Sequence, residues 1–391
     1  MTVIASAART PFGRFGGVLK SLPAVELGAA AIREAVRRSA LPGEIFDLAI
    51  IGQVLQAGCG QIPSRQATLK AGLPVSLPSE TLNKVCASSF RAVTGADQMI
   101  RSGDVEAVIA GGMESMSNAP YASPGLRWGA RMFNAQMIDL MVHDGLWCAV
   151  YDRHMAAHGG TLAKEYGISR QAQDEWALRS QNRALEAINS GRVEDEVALL
   201  SISDKKGEVT VDRDEGPRPG LSTEILGKMA PIFDPDNTVT AGNAPSTNDG
   251  GSAIVLLSER VAAERQIKPL AAIMGSAMIT EDPVRIASAP GEAINKLLKR
   301  FNMKIDEIGL IEINEAFAAV PLVSGKIIGC DMNKVNVNGG AVAYGHPIGA
   351  SGARVIINLV YEMRRRQITY GIAAICSGGA QGDALLVRCD Y

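Results

Sequence analysis

Residues 86–93 read CASSFRAV and residues 349–356 read GASGARVI. Setting Cys86 against Gly349 aligns Ala87 with Ala350, Ser88 with Ser351 and Arg91 with Arg354. The echo extends outward, because each octet runs into a helical pattern and then an apolar strand ending in two glycines: DVEAVIAGG at 104–112 and GIAAICSGG at 371–379. A repeat of this length predicts two similar α/β halves that face one another. Between them, from Asn118 to about Asn248, the character changes to loops, one long polar helix (ISRQAQDEWALRSQNRALEAINSG) and the hydrophilic run SDKKGEVTVDRDEGPRPG. This stretch reads as an insertion. The expected division is residues 1–118 with 248–268 as the first half, 119–247 as an inserted loop domain, and 269–391 as the second half.

The flanking segments alternate in the same way. TVIASAA is a short apolar strand, PAVELGAAAIREAVRRSA repeats its apolar residues at helical spacing after a proline, and LAIIGQVL is apolar strand again. After the insertion PLAAIMGSAMI, IGLIEINEAF and IAAICSGGAQGDALLV resume the alternation. At 391 residues the chain is long enough for two or three packed units. With 20% charged residues, 47% apolar residues and a net charge of −2, nothing suggests a nucleic acid or an anionic membrane as partner. No apolar run approaches the roughly 20 residues of a membrane span, and the opening MTVIASAARTPFG meets a charge and a proline too soon for a signal peptide. The six cysteines are far apart, with no zinc-like spacing, which predicts free thiols, no metal and a cytoplasmic location.

Four segments carry chemistry. In TLNKVCASSFRAVTGADQMIRSG the residues after Cys86 fit a helix with Phe90, Val93, Ala96 and Ile100 inward and Gly103 as its stop. Cys86 then begins a helix, where unpaired N–H groups favour a thiolate and lower its pKa. A small buried core residue is the plain alternative. Cys376 follows the strand GIAAI and precedes SGGAQG, where glycines let backbone N–H groups approach a ligand; a core cysteine before a turn is the alternative. Asn314 and Glu315 break the strand IGLIEI, as a site or as a helix cap. Finally, NGGAVAYGHPIGASGARV sets His346 between a glycine and a proline, a bendable surround that leaves room for something to approach the ring.

These pieces together resemble the thiolase family. The matching segments are AARTPFGRFGG, NKVCASSFRAV, GGMESMSNAPY, DGLW followed by His154 and Met155, TVTAGNA, NEAF, GHPIGASGAR and CSGGAQG, in the family's order across essentially the whole chain. The beginning and GGMESMSNAPY are most similar to its short-chain acetyl-CoA acetyltransferase members.

The resemblance implies two topologically similar α/β halves with layered sheets and helices, plus an inserted loop domain that carries much of the coenzyme A site. It also implies a dimer or tetramer that exchanges acyl groups with coenzyme A as substrate, holds no permanent cofactor, and makes or breaks 3-ketoacyl thioesters. It implies Cys86 as the acylated nucleophile, His346 as its activator and Cys376 as the base for the α-proton of a second acyl-CoA. One oxyanion hole would combine His346 with a water held by Asn314, and the other the backbone N–H groups of Cys86 and Gly378. Leu146, His154, Met155, Arg218, Ala244, Ser246 and Phe317 would contact coenzyme A or the acyl chain. A neutral His346 and an ionised Cys376 would make activity rise through mildly alkaline pH.

Departures cluster near the thioester tail. Pro245 and Ser246 stand where the family has Ser-Gly, IASAP (286–290) replaces MGxGP, and AAHGG adds His158. His158 and His143 are expected to be surface or packing residues. The competing readings are a thiolase of longer chain preference, a ketoacyl synthase, a cysteine hydrolase and a non-catalytic acyl-CoA or lipid-binding protein. A ketoacyl synthase would lack NEAF and CxGG, a hydrolase would have no use for Cys376, and the intact set of four speaks against a mere binder.

Overall fold

The computed structural model describes residues 1–204, 207–233 and 237–390; Lys205 and Lys206 of the hydrophilic run lie outside them. The first half opens with β1 (Thr2–Arg9), α1 (Ala24–Ser39), β2 (Leu48–Gly52), β3 (Ser79–Leu82), α2 (Ser88–Ser102) and β4 (Ala107–Ser115). Pro23, at φ −64°, precedes α1, whose Val25, Leu27, Ile32 and Ala35 are buried. In α2 the four expected inward residues are all buried, and Gly103 at φ 83° closes the helix with its N–H on the Ile100 carbonyl.

The insertion holds α3 (Met155–Glu165), α4 (Arg170–Asn189) and three two-stranded ribbons. The polar helix is α4, but α3 was not expected. Its glycines hide it, and packing explains them: a Cβ on Gly159 would come within 2.7 Å of the Phe317 ring, and one on Gly160 would collide with Asn237.

After the insertion come, among others, β5 (Asn248–Ser258), β6 (Ala271–Thr280), α5 (Ala289–Phe301), β7 (Leu310–Ile313), α6 (Ala319–Ile328), α7 (Ser351–Arg366), β8 (Tyr370–Ser377) and β9 (Gln381–Arg388). The strands lie in the order β7-β8-β9-β6-β1-β5-β4-β2-β3. Reading outward from the middle, β1, β5, β4, β2 mirrors β6, β9, β8, β7. The parallel pairs match too, β2 with β4 and β7 with β8. The halves meet where β1 pairs with β6, across Thr2↔Ile273, Val3↔Ala272 and Ile4↔Ala271.

Side-chain alternation sorts the sheet into layers. Val108 and Ala110 of β4 and Ala373 and Ile375 of β8 share one core with Phe90 of α2 and Ile356 of α7. The opposite faces pack elsewhere: Ile109 joins α1, while Cys376 joins residues of α5 and α6. Helix, sheet, helix pair, sheet and helix therefore succeed one another. The middle pair is so enclosed that Ser351–Val360 of α7 is wholly buried. Where α2 and α7 come close, a Cβ on Gly352 would lie 2.7 Å from that of Phe90, so only glycine fits. Among the described residues no helix is long and apolar enough to cross a membrane.

Candidate active site

The turn between β3 and α2 carries Cys86. Val85 is forced to φ 46°, a costly conformation for a β-branched residue, and its surroundings hold it there. Asn83 accepts the Val85 N–H at 2.9 Å, and the Ser88 hydroxyl donates to the Val85 carbonyl at 2.6 Å while accepting the Lys84 N–H at 2.8 Å. The second half grips the same turn: Lys84 pairs with the buried Asp383 at 2.7 Å, and the Ser377 hydroxyl donates to the Lys84 carbonyl.

Cys86 opens onto a cavity of about 370 Å³ that draws residues from both halves and the insertion. His346, Ile348 and Gly378 reach it from the second half, with Ile286 and Phe317. Leu146, His154, Met155, Ala244, Pro245 and Ser246 line the remaining wall. Arg218 is not among the lining residues; its backbone N–H rests on the Gln181 side chain at 2.8 Å. Ser246 does line the cavity, but its hydroxyl donates to Asn248 Oδ1 at 2.9 Å. Phe233, which the sequence did not single out, stacks on His154 at 4.1 Å between ring centres, and burial pushes the pKa of His154 down to about 4.

His346 sits on a loop entered through Gly345 at φ 100°. Its backbone N–H donates to Asn248 at 2.9 Å, and its Nδ1 lies 2.7 Å from the Ser351 hydroxyl. Its Nε2 has no partner among the described residues. Burial, together with the Arg354 charge, pushes the imidazole pKa down to about 3, so the ring is neutral.

Asn314, just after β7, is fully buried and does not line the cavity. Arg354 Nη2 donates to its Oδ1 at 3.4 Å, and its Nδ2 is left without a partner among the described residues. Cys376 is likewise buried and does not line the cavity. Burial, and then the nearby Cys86 sulfur, hold its thiol well above the ordinary range. The expectation of a lowered Cys86 pKa is overturned. Burial pushes that thiol up to about 12, its own backbone N–H offsets this only in part, and the Glu114 carboxylate adds to the rise. Desolvation outweighs the helix terminus, which starts only at Ser88.

Two buried carboxylates escaped the sequence reading as structural parts of the site. Glu114, inside GGMESMS, accepts the N–H groups of Val54, Leu55 and Gly349 at 3.1, 3.1 and 2.9 Å. Burial nevertheless pushes its pKa up to about 7. Glu315, offered by sequence as a cap, is instead a pin: it accepts from Trp176, Ser180, Asn336 and the Val342 N–H. The helix it was expected to start begins at Ala319. Together the two carboxylates fasten the His346 loop on either side. His158 is 1% exposed and meets Tyr151 edge-on, and His143 is exposed beside Asp144 at 2.6 Å.

Residues 2–260 match the family description "thiolase, N-terminal domain" and residues 267–389 "thiolase, C-terminal domain". An acetyl-CoA acetyltransferase of Pseudomonas aeruginosa is 46% identical over 99% of both chains. A probable acetyl-CoA acetyltransferase of Escherichia coli K12 is 45% identical, again over 99% of both. The crystal structure of the Bacillus anthracis acetyl-CoA acetyltransferase superposes with a TM-score of 0.96 at 39% identity, covering 99% of this chain and 98% of that one. Mirrored halves, a cavity at their meeting, and likeness along the full length lead to one assignment: the chain belongs to the thiolase family.

Proposed function

We propose that this protein is an acetyl-CoA C-acetyltransferase, an acyltransferase that catalyses reversible Claisen condensation and thiolysis of short 3-ketoacyl-CoA through a Cys86 acyl-enzyme. The observation that carries the reading is the single cavity onto which Cys86, His346 and Gly378 all open from separate segments, with Cys376 close behind. Coenzyme A is a substrate here, and no permanent cofactor is part of the reading.

The proton bookkeeping closes with the groups present. Cys86 gives its proton to His346 Nε2 and attacks the thioester carbonyl, while the departing coenzyme A thiolate takes the Cys376 proton. The result is an acyl-Cys86, an imidazolium and a Cys376 thiolate. That thiolate removes the α-proton of a second acetyl-CoA, the carbanion attacks acyl-Cys86, and the released Cys86 thiolate recovers its proton from His346. Each developing oxyanion needs donors. His346 Nε2–H and the Asn314 amide through a water would serve one, and the N–H groups of Cys86 and Gly378 the other.

The reading includes the other assignments drawn from sequence. Residues 1–118 with 248–268 and 269–391 act as the two halves, and 119–247 carries much of the coenzyme A site, with Arg218 toward its far end. The assembly is a cytoplasmic homo-oligomer, dimer or tetramer. Six free cysteines accord with a reducing compartment. Trp128 and Phe133, 87% and 91% exposed, accord with a surface covered by another copy.

A chain-length series of 3-ketoacyl-CoA thiolysis rates tests the reading. Acetoacetyl-CoA or its six-carbon homologue should give the highest kcat/KM. A higher value on long chains would favour the longer-chain thiolase, and no thiolysis at any length would favour the binder.

A further inference from the structure

We propose that the Ser351 hydroxyl, oriented by the Pro347 carbonyl, selects the tautomer of His346: it holds the proton on Nδ1 and leaves the Nε2 lone pair free. The geometry offers the hydroxyl two neighbours, His346 Nδ1 at 2.7 Å and the Pro347 carbonyl at 2.9 Å. A hydroxyl has one proton to give. Given to Pro347, it leaves the oxygen free to accept Nδ1–H, and both contacts are hydrogen bonds. Given to Nδ1, it forfeits the Pro347 contact and leaves an Nε2–H donor buried without a partner among the described residues. Orphaned buried N–H groups are rarer than orphaned acceptors.

The repeat supplies an independent witness. Ser88, the residue aligned with Ser351, accepts the Lys84 backbone N–H, which has no choice but to donate, and gives its own proton to the Val85 carbonyl. Its hydroxyl is wired as a relay from an N–H to a carbonyl one turn back, and Ser351 stands in the same position with an imidazole N–H in place of the amide. A neutral histidine left to itself favours Nε2–H, so the arrangement reverses the ring's own preference. The same wiring suits the imidazolium, because Nδ1–H keeps its acceptor when Nε2 gains a proton. Nε2 is then the one ring position at which a proton comes and goes. Ser351 is fully buried and does not line the cavity, so it is a positioning residue.

The kinetic consequence rests on the acyl-enzyme reading, but the tautomer itself does not. Histidine labelled with ¹⁵N gives few ring signals in a chain with four histidines. Magic-angle-spinning spectra of the full-length protein, with His346 identified as the pair missing from the His346→Asn protein, read both nitrogens. The expected wild-type result is a protonated Nδ1 and an unprotonated Nε2. Ser351→Ala should move the balance to Nε2–H and slow Cys86 acylation by about tenfold with KM nearly unchanged, the loss of one hydrogen bond's preference. Ser351→Cys, similar in volume and a weak acceptor, should fall between. A wild-type ring protonated on Nε2, or Ser351→Ala spectra identical to wild type, would overturn the proposal. Correct spectra in a protein that performs no thiolysis would instead discredit the enzymatic reading and leave the tautomer assignment standing.

Discussion

Arg91 and Arg354 occupy matching places in the two repeated turns yet sit in opposite surroundings. Arg91 is partly exposed and bonds the Gln98 side chain on its own helix at 3.0 Å. Arg354 is completely buried, reaches Asn314, and acts on Glu312, Glu315 and Glu196 by charge. Cys86 faces the cavity, while its counterpart Gly349 is a backbone donor to Glu114. The difference teaches how one supersecondary unit used twice divides a task. The first copy presents a sulfur, and the second presents an imidazole that burial, together with the Arg354 charge, keeps neutral. Shared geometry supplies the scaffold, and chemistry enters where the copies diverge.

The sharpest test of that division concerns the sulfurs. Cys86→Ala should abolish incorporation of labelled acetyl from acetyl-CoA. Cys376→Ser should keep the label on Cys86 while condensation and thiolysis fall by at least about a thousandfold, because serine is too weak a base. Peptide mapping decides, and label on Cys376 would reverse the assignment. Next come the arginines. Arg354→Met strips the countercharge from buried carboxylates and should cost about 3–5 kcal/mol in urea unfolding, whereas Arg91→Met should stay within about 0.5 kcal/mol. Equal losses would mean that the two sites are not specialised as described.

Smaller again is the acyl wall. Ile286→Ala should raise the kcat/KM ratio of six-carbon to four-carbon substrate by about tenfold; an unchanged ratio would remove Ile286 from chain-length control. The smallest effect is with pH. A His346 pKa lowered to about 3 keeps that ring neutral above acid pH, and a Cys86 pKa raised to about 12 keeps that sulfur protonated below strongly alkaline pH. Neither group changes state between about pH 6 and 9, where ordinary His and Cys would titrate. Cys86 acylation should therefore be nearly flat there, replacing the alkaline rise expected from sequence. A tenfold gain per pH unit would show that the sulfur ionises before substrate arrives.

Sequence carried the architecture wherever the signal was local or repeated. The octets at Cys86 and Gly349, the inward face of α2 and the break after IGLIEI each rest on spacing within one segment. It failed where a distant partner decides. Helix α3 runs through Gly159 and Gly160 because Phe317 and Asn237 fill the space beside them. Cys86 begins near a helix, as read, but its acidity is set by enclosure that only the assembled halves create. Glu114 lay inside a quoted motif, yet its three N–H partners come from residues 54, 55 and 349. No spacing rule joins those positions.

Strand β5 lies between β1 and β4, yet the ribosome makes residues 116–247 after β4 is complete and before β5 begins. At roughly 5–20 residues per second, that interval is on the order of ten seconds. Throughout it, the growing chain holds two strands whose mutual neighbour does not yet exist, with apolar residues such as Ile4 and Ile109 that will end wholly buried. Unpaired strand edges recruit other chains. Nascent chains paused before Asn248 should thus be the most aggregation-prone products of translation and the ones that depend most on a chaperone, whereas those extended past Ser258 carry the missing strand.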